Sequence, residues 1–126
     1  MKITLTPEES EEFFHNALCN ALGTGYMSGY GIELTAIASE YQEAKEKLNN
    51  PCYEDILMQV LRDGNKLTMV DNEAVMGDVS ITLADVHERV QNTPLAHLVA
   101  MINETDDAET ADAIIQTVFY QDIIFG

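Results

Sequence analysis

Positive charge is what this sequence has least of. Lysine and arginine together number 6 against 22 aspartates and glutamates, a formal net charge of −16 over 126 residues. That balance excludes electrostatic attraction to nucleic-acid backbones and anionic membranes, and it favours solubility or a basic partner. Cysteine is scarce too: Cys19 and Cys52 are too few for a disulfide scaffold. No apolar run is long enough to cross a bilayer, and the opening stretch, MKITLTPEESEE, lacks the apolar core of a signal peptide. These absences predict a cytoplasmic protein with reduced thiols. Without secretion, the glycosylation sequon Asn103-Glu-Thr105 carries no meaning. Internal repeats, low-complexity tracts and linkers are lacking as well, so residues 1–126 are read as one compact domain, long enough to bury a sizeable core.

What is present centres on residues 51–90. Asn50 and Pro51 open a helix as N-cap and first helical residue, where the missing proline N–H costs nothing. Tyr53, Ile56, Leu57, Val60 and Leu61 recur at helical spacing, and Gly64 ends the helix. Residues 66–71 and 79–83 alternate as strands around a polar turn at 72–78, which predicts a short antiparallel hairpin. Thr82 and Asp85 then form a capping box, opening a short helix that turns Val86 and Val90 inward. A lone hairpin is marginal in water, so this one has to lean on helices.

Those helices come from both sides. Thr6-Pro-Glu-Glu9 combines cap, proline and acid at a helix start, and Phe14, Ala17, Leu18, Ala21 and Leu22 give its buried stripe. The glycine-rich GTGYMSGYG follows, and the spacing of Leu18, Leu22 and Tyr26 extends the helix to about Ser28, with residues 29–31 as the break. Leu34, Ile37, Tyr41, Ala44 and Leu48 predict an amphipathic helix over 35–48, with Glu40, Glu43, Lys45, Glu46 and Lys47 mostly outside the stripe. Beyond the hairpin, Asn92-Thr-Pro94 starts a helix with Leu95, Leu98, Val99 and Ile102 inward. Asp106-Asp-Ala-Glu109 caps the last helix, apolar at Ala111, Ile114, Ile115, Val118 and Phe119. The fold class is α+β and mostly helical, with about five or six helices packed around a short antiparallel β-hairpin.

Several patterns invite a chemical reading, and each has a plainer competitor. Gly23, Gly25 and Gly29 give G-x-G-x-x-x-G, one residue too long for the dinucleotide fingerprint and preceded by a helix instead of a strand; no G-K-[ST] exists for a phosphate loop. Close helix packing or a sharp bend explains these glycines better. Ser28 lacks the flanking glycines of a nucleophile elbow. His15 and Cys19 share a helix face and, with His87 or His97, offer zinc ligands, but no Cys-x-x-Cys or His-x-x-x-His pair supports them; a boundary histidine and a buried free thiol explain both. The stretch from Asp71 to Asp78 fails as a calcium loop, with Val75 at a ligand position, Met76 where glycine belongs and Thr82 in place of the closing glutamate. Carboxylate pairs are too numerous to single one out without a cleft and a shifted pKa. No catalytic, cofactor-binding or metal-ligating residue is therefore assigned, and an enzyme ranks behind the non-enzymatic classes.

The charge remains to be explained. Acids gather at residues 8–12, 40–46, 71–78 and 106–112, largely helix starts and exposed faces, and capping with solubility accounts for many of them. Two stretches, KLTMVDNEAVMGDVSITLADVHERV and PLAHLVAMINETDDAETADAIIQTVFYQDIIFG, resemble uncharacterised small acidic proteins of tailed bacteriophages and prophages. The resemblance covers the C-terminal half and brings no activity, cofactor or catalytic residue. It implies a viral accessory context in the host cytoplasm: a host-factor binder or a minor assembly protein. The expected function is a small acidic, non-enzymatic accessory protein that binds a protein partner with a basic surface. The alternative is a structural component that self-associates as a homo-oligomer; a DNA-mimic inhibitor of a host nucleic-acid-binding protein comes third. Direct contact with nucleic acid or membrane is not expected. Candidate partner contacts are Glu40, Glu43, Tyr26, Tyr30 and the apolar tail Ile123, Ile124 and Phe125. Three large apolar residues left free would form a sticky patch, so the tail is expected to dock on its own domain or on a second copy.

Overall fold

The last helix of the chain, and not residues 51–90, turns out to be the element around which the others pack. The computed structural model describes residues 3–24, 26–74 and 77–125. In chain order the elements are α1 (Pro7–Thr24), α2 (Tyr26–Tyr30), β1 (Ile32–Thr35), α3 (Ala38–Glu46), α4 (Tyr53–Arg62), β2 (Leu67–Asp71), β3 (Val79–Ile81), α5 (Leu83–Arg89), a 3-10 turn (Val90–Asn92), α6 (Leu95–Ile102) and α7 (Ala108–Tyr120). The fold is α+β and mostly helical, as expected. In α7, Thr110, Ala111 and every residue from Ala113 to Phe119 are buried. A helix enclosed on nearly all sides belongs in the middle of a fold, and α1 packs along it more extensively than any other pair of elements does.

Helix α1 begins as its sequence predicts. Thr6 N–H donates to Glu9 Oε1 at 3.0 Å and Glu9 N–H returns a bond to Thr6 Oγ1 at 3.1 Å, which satisfies two of the donors a helix start leaves free. Phe13, Phe14, Ala17, Leu18 and Ala21 form its buried side. The helix stops at Thr24 instead of running to Ser28, and α2 is a separate short helix; Gly25 between them lies outside the described residues. The glycines divide in their use. A methyl group added at Gly23 or Gly29 would meet nothing within 4 Å, so close packing does not explain them. Gly31 makes the bend: its φ is +78°, and an added Cβ would lie 2.6 Å from Glu73 Cγ.

That bend produces a strand the sequence reading missed. Helical spacing puts Leu34 at the head of a stripe; it lies instead in β1, opposite Met69 of β2. The predicted hairpin is present, with Leu67 opposite Ile81, and β1 adds to it to give the antiparallel order β1-β2-β3. Ile32 and Leu34 are buried while Glu33 between them is exposed, the alternation of a half-buried strand. Helix α3 is correspondingly short. Ile37 is 62% exposed and sits outside it, and Ala44 is its fully buried residue. The sheet leans on helices through β3 against α7 and β2 against α4.

Two helix starts shift along the chain, each to the residue whose capping bonds form. Helix α4 is capped by Cys52, not Asn50, because Asp55 Oδ2 accepts the Cys52 N–H at 3.2 Å; Asn50 has Tyr53 at the corresponding place and adopts a positive φ of 48°. Ile56, Leu57, Val60 and Leu61 are buried as predicted, whereas Tyr53 is 41% exposed. Gly64 ends α4 at φ +87°, with its N–H on the Leu61 carbonyl at 3.0 Å and Asn65 N–H on that of Val60 at 3.1 Å, the paired bonds of a Schellman motif. Asp107 rather than Asp106 caps α7, accepting the Thr110 N–H at 3.0 Å. Helix α6 departs further. Pro94 precedes it without a side-chain cap, Asn92 belongs to the 3-10 turn, and the buried residues are Leu98 and Met101. Leu95, Val99 and Ile102, expected inside, are outside at 43%, 42% and 51% exposure.

Candidate functional site: an acidic groove between α1 and α4

On α1, Glu8, Glu11, Glu12 and His15 follow one another at three- and four-residue intervals, which places them on one face of the helix. The face runs beside the buried Phe14 and Leu18, and it forms one wall of a groove of about 530 Å³. Asp55 and Arg62 of α4 supply the other wall, and Leu48, Pro51 and Met58 supply its apolar surface.

Part of this polar face ties helices together. His15 Nε2 lies 2.8 Å from Asp55 Oδ1, joining α1 to the start of α4. Glu11 bridges two helices, with His87 Nε2 of α5 2.8 Å from its Oε2 and Arg62 Nε of α4 donating to its Oε1 at 3.2 Å. The rest is free. Glu8 and Glu12, both exposed, have no ion pair or side-chain hydrogen bond with a described residue. Lys47 pairs with Asp63 at 2.9 Å and Arg89 with Asp85 at 3.5 Å, whereas Arg62 pairs with Glu11 inside the groove itself.

The electrostatics keep the bound carboxylates charged. The hydrogen bond from His15, then that from the Cys52 N–H, hold the Asp55 carboxyl below the usual carboxylate range. Burial works against the charge on Glu11, but the bonds from His87 and Arg62 outweigh it and its pKa is also lowered. A general acid at neutral pH needs the opposite shift. The thiols are moved the other way. Partial desolvation, reinforced by the Glu54 carboxylate, pushes the Cys19 thiol up to about 11. The charges of Glu54 and Asp55 raise that of Cys52. Both therefore stay protonated at neutral pH, the unreactive form for nucleophilic attack and metal binding. Both are also exposed, so the expectation of a buried thiol at Cys19 is not met. Among the described residues no group of three His, Cys, Asp or Glu side chains is arranged to hold a metal ion.

The residues singled out from the sequence lie elsewhere. Tyr30 and Phe125 meet each other, their rings stacked at 5.1 Å and 16°, and Tyr120 approaches Phe125 edge-on at 5.8 Å. Tyr30 Oη donates to Asp112 Oδ2 at 3.0 Å. The tail is docked on its own domain: Ile124 N–H and Phe125 N–H both donate to Gln116 Oε1, at 2.7 and 2.8 Å. Ile123 beside them remains 41% exposed. Glu43 is exposed on α3, and Glu40 is half-buried with an Oε1 that has no hydrogen-bond partner among the described residues. The Tyr26 side chain lies outside the described set. None of these residues lines the groove. Its signal in the sequence was the repeat of acids and a histidine at helical spacing from Glu8 to His15. Its second wall comes from tertiary packing and left no such trace. No protein-family model, curated protein or solved structure matches the chain. Among the described residues, no helix is long and apolar enough to cross a membrane.

Proposed function

We propose that this is a small acidic accessory protein, non-enzymatic, that binds a basic segment of another protein in the α1–α4 groove. The observation that carries this is the pair of carboxylates without a partner among the described residues, Glu8 and Glu12, beside the ionised Glu11 and Asp55 in one concave site. A lysine or arginine entering it finds its counter-charges in place, while Leu48 and Pro51 can cover the methylene stem. The net charge of −16 adds a long-range field that speeds encounter with a positive patch and is screened over about 8 Å at physiological ionic strength. Carboxylates held ionised and thiols held protonated favour binding over catalysis. The resemblance of the C-terminal half to small acidic phage and prophage proteins supports an accessory role exercised in the cytoplasm of a host cell.

The test uses the double variant Glu8→Gln/Glu12→Gln and a lysine- and arginine-rich peptide as probe. Neither glutamate holds another side chain, so the melting temperature should stay within a degree or two of the parent. Peptide affinity should fall several-fold, and parental binding should weaken as salt is raised. Equal affinity for parent and variant, or binding indifferent to salt, would refute the proposal.

A further inference from the structure

We infer that the outer face of α6 is a self-association surface through which two copies of this chain pair about a two-fold axis. Six large hydrophobic side chains are exposed among the described residues, and three of them, Leu95, Val99 and Ile102, occupy this one short helix. Their spacing of four and three residues puts them on a single face, bordered by the buried Leu98 and turned away from the buried Met101.

The arrangement is self-complementary. Two-fold symmetry requires the same patch on both partners. With two α6 helices antiparallel, Val99 sits on the axis against its own copy. Leu95 then lies against Ile102 of the second chain at each end. Beside Leu95 a shallow groove of about 280 Å³, bounded by Ile3, Pro94 and Leu98, gives that isoleucine a seat.

Charge selects a second copy over a basic partner. From Gln91 to Asn103 the sequence contains no Asp, Glu, Lys or Arg. A basic protein gains nothing electrostatically from such a surface and is drawn to the acids elsewhere. Two chains of −16 repel wherever their carboxylates face each other, so they approach at least cost through a face that has none. Residues 13–32 are also free of formal charge, but among them no described large apolar side chain is exposed. An eight-residue helix is only about 12 Å long, and a standard interface covers about 800 Å² on each partner. The dimer is therefore weak and reversible.

Its salt dependence has the opposite sign to that of the groove. Screening the repulsion strengthens self-association, whereas binding of a basic segment weakens. Sedimentation equilibrium of the intact chain, over a range of concentrations at low and high salt, reads this directly. The expected result is a monomer–dimer equilibrium that shifts towards dimer at high salt. Val99→Asp should leave the monomer across the range with its melting temperature unchanged, and Ile37→Asp, at a more exposed site off the helix, should dimerise like the parent. Val99→Ala, expected to weaken the dimer several-fold, keeps the comparison usable if the aspartate perturbs folding. A parent that is monomeric throughout, a Val99→Asp chain that dimerises normally, or a dimer that dissociates at high salt would each overturn the inference. Glu8→Gln/Glu12→Gln should not weaken the dimer, which separates this result from the groove experiment.

Discussion

Gln116 and Phe125 exchange hydrogen bonds in both directions: the Phe125 N–H donates to Gln116 Oε1 at 2.8 Å, and Gln116 Nε2 donates to the Phe125 carbonyl at 3.1 Å. The same amide accepts from the Ile124 N–H and donates to Asp112 Oδ2 at 3.0 Å, so both its donors and both its acceptor sites are used. At 1% exposure an unsatisfied glutamine would be a liability inside α7. Gln116→Leu keeps the bulk but strands two tail N–H groups, and should cost about 1–3 kcal/mol. Removing residues 123–126 forfeits the Tyr30–Phe125 stack as well, a contact of about 0.5–1.5 kcal/mol beyond its area. Thermal unfolding should show both variants melting several degrees below the parent. A parental melting curve for either would mean that the docked tail contributes nothing.

The glycines of the α1–β1 region should respond in opposite directions. Gly23 and Gly29 are helical and face open space. Alanine at either should stabilise by up to about 1 kcal/mol through helix propensity and a less flexible unfolded chain. Gly31→Ala should destabilise by about 1–2 kcal/mol, because a residue with a Cβ resists its left-handed backbone. Adding Glu73→Ala clears the side chain that the new Cβ would strike but leaves the backbone strain, so it should rescue little. Denaturant midpoints decide this; full rescue by Glu73→Ala would place the whole cost in the clash.

Acid should unfold the protein below the normal carboxylate range. Asp55 is lowered by His15, Glu11 by His87 and Arg62 against its burial, Asp63 by Lys47 and Asp107 by the Thr110 N–H. A carboxyl with a lower pKa in the folded than in the unfolded chain contributes stability above its unfolded value, about 4. That stability disappears as the pH falls through the folded value. Between neutrality and about pH 5 the first protonations instead relieve the repulsion of a −16 chain and hold stability level or raise it. Melting temperature against pH should therefore show a plateau and then a fall below about 4, and Asp55→Asn should make that fall shallower. An acid limb identical in the variant would show that the His15–Asp55 contact does not stabilise the fold.

How far the sequence revealed this fold depended on how one-sided each element is. The hairpin buries a single face and helix α4 does so apart from Met58, and their spacing was plain. Helix α6 reads LAHLVAMI, apolar on every side, so periodicity could not say which residues pack; only its setting against α7 selects Leu98 and Met101. Strand β1 has four residues, too few for alternation to compete with the helical intervals linking Leu34 to Ile37 and Tyr41. Its partner, β2, lies far along the chain, and no local rule brings the two together. The groove was half legible. The face carrying Glu8 to His15 follows from helix geometry, whereas Asp55 reaches His15 only because α4 packs beside α1.

The packing of α1 on α7 also sets a schedule for synthesis. On a ribosome α1 emerges well before its support, α7. Until then Phe14, Ala17 and Leu18 have lost their principal wall. A chain arrested before Ala108 can form the hairpin and α4 but cannot close around a centre it does not yet possess. Such a nascent chain offers bare apolar surface to chaperones and proteases. Folding is then a single late event that follows the arrival of α7.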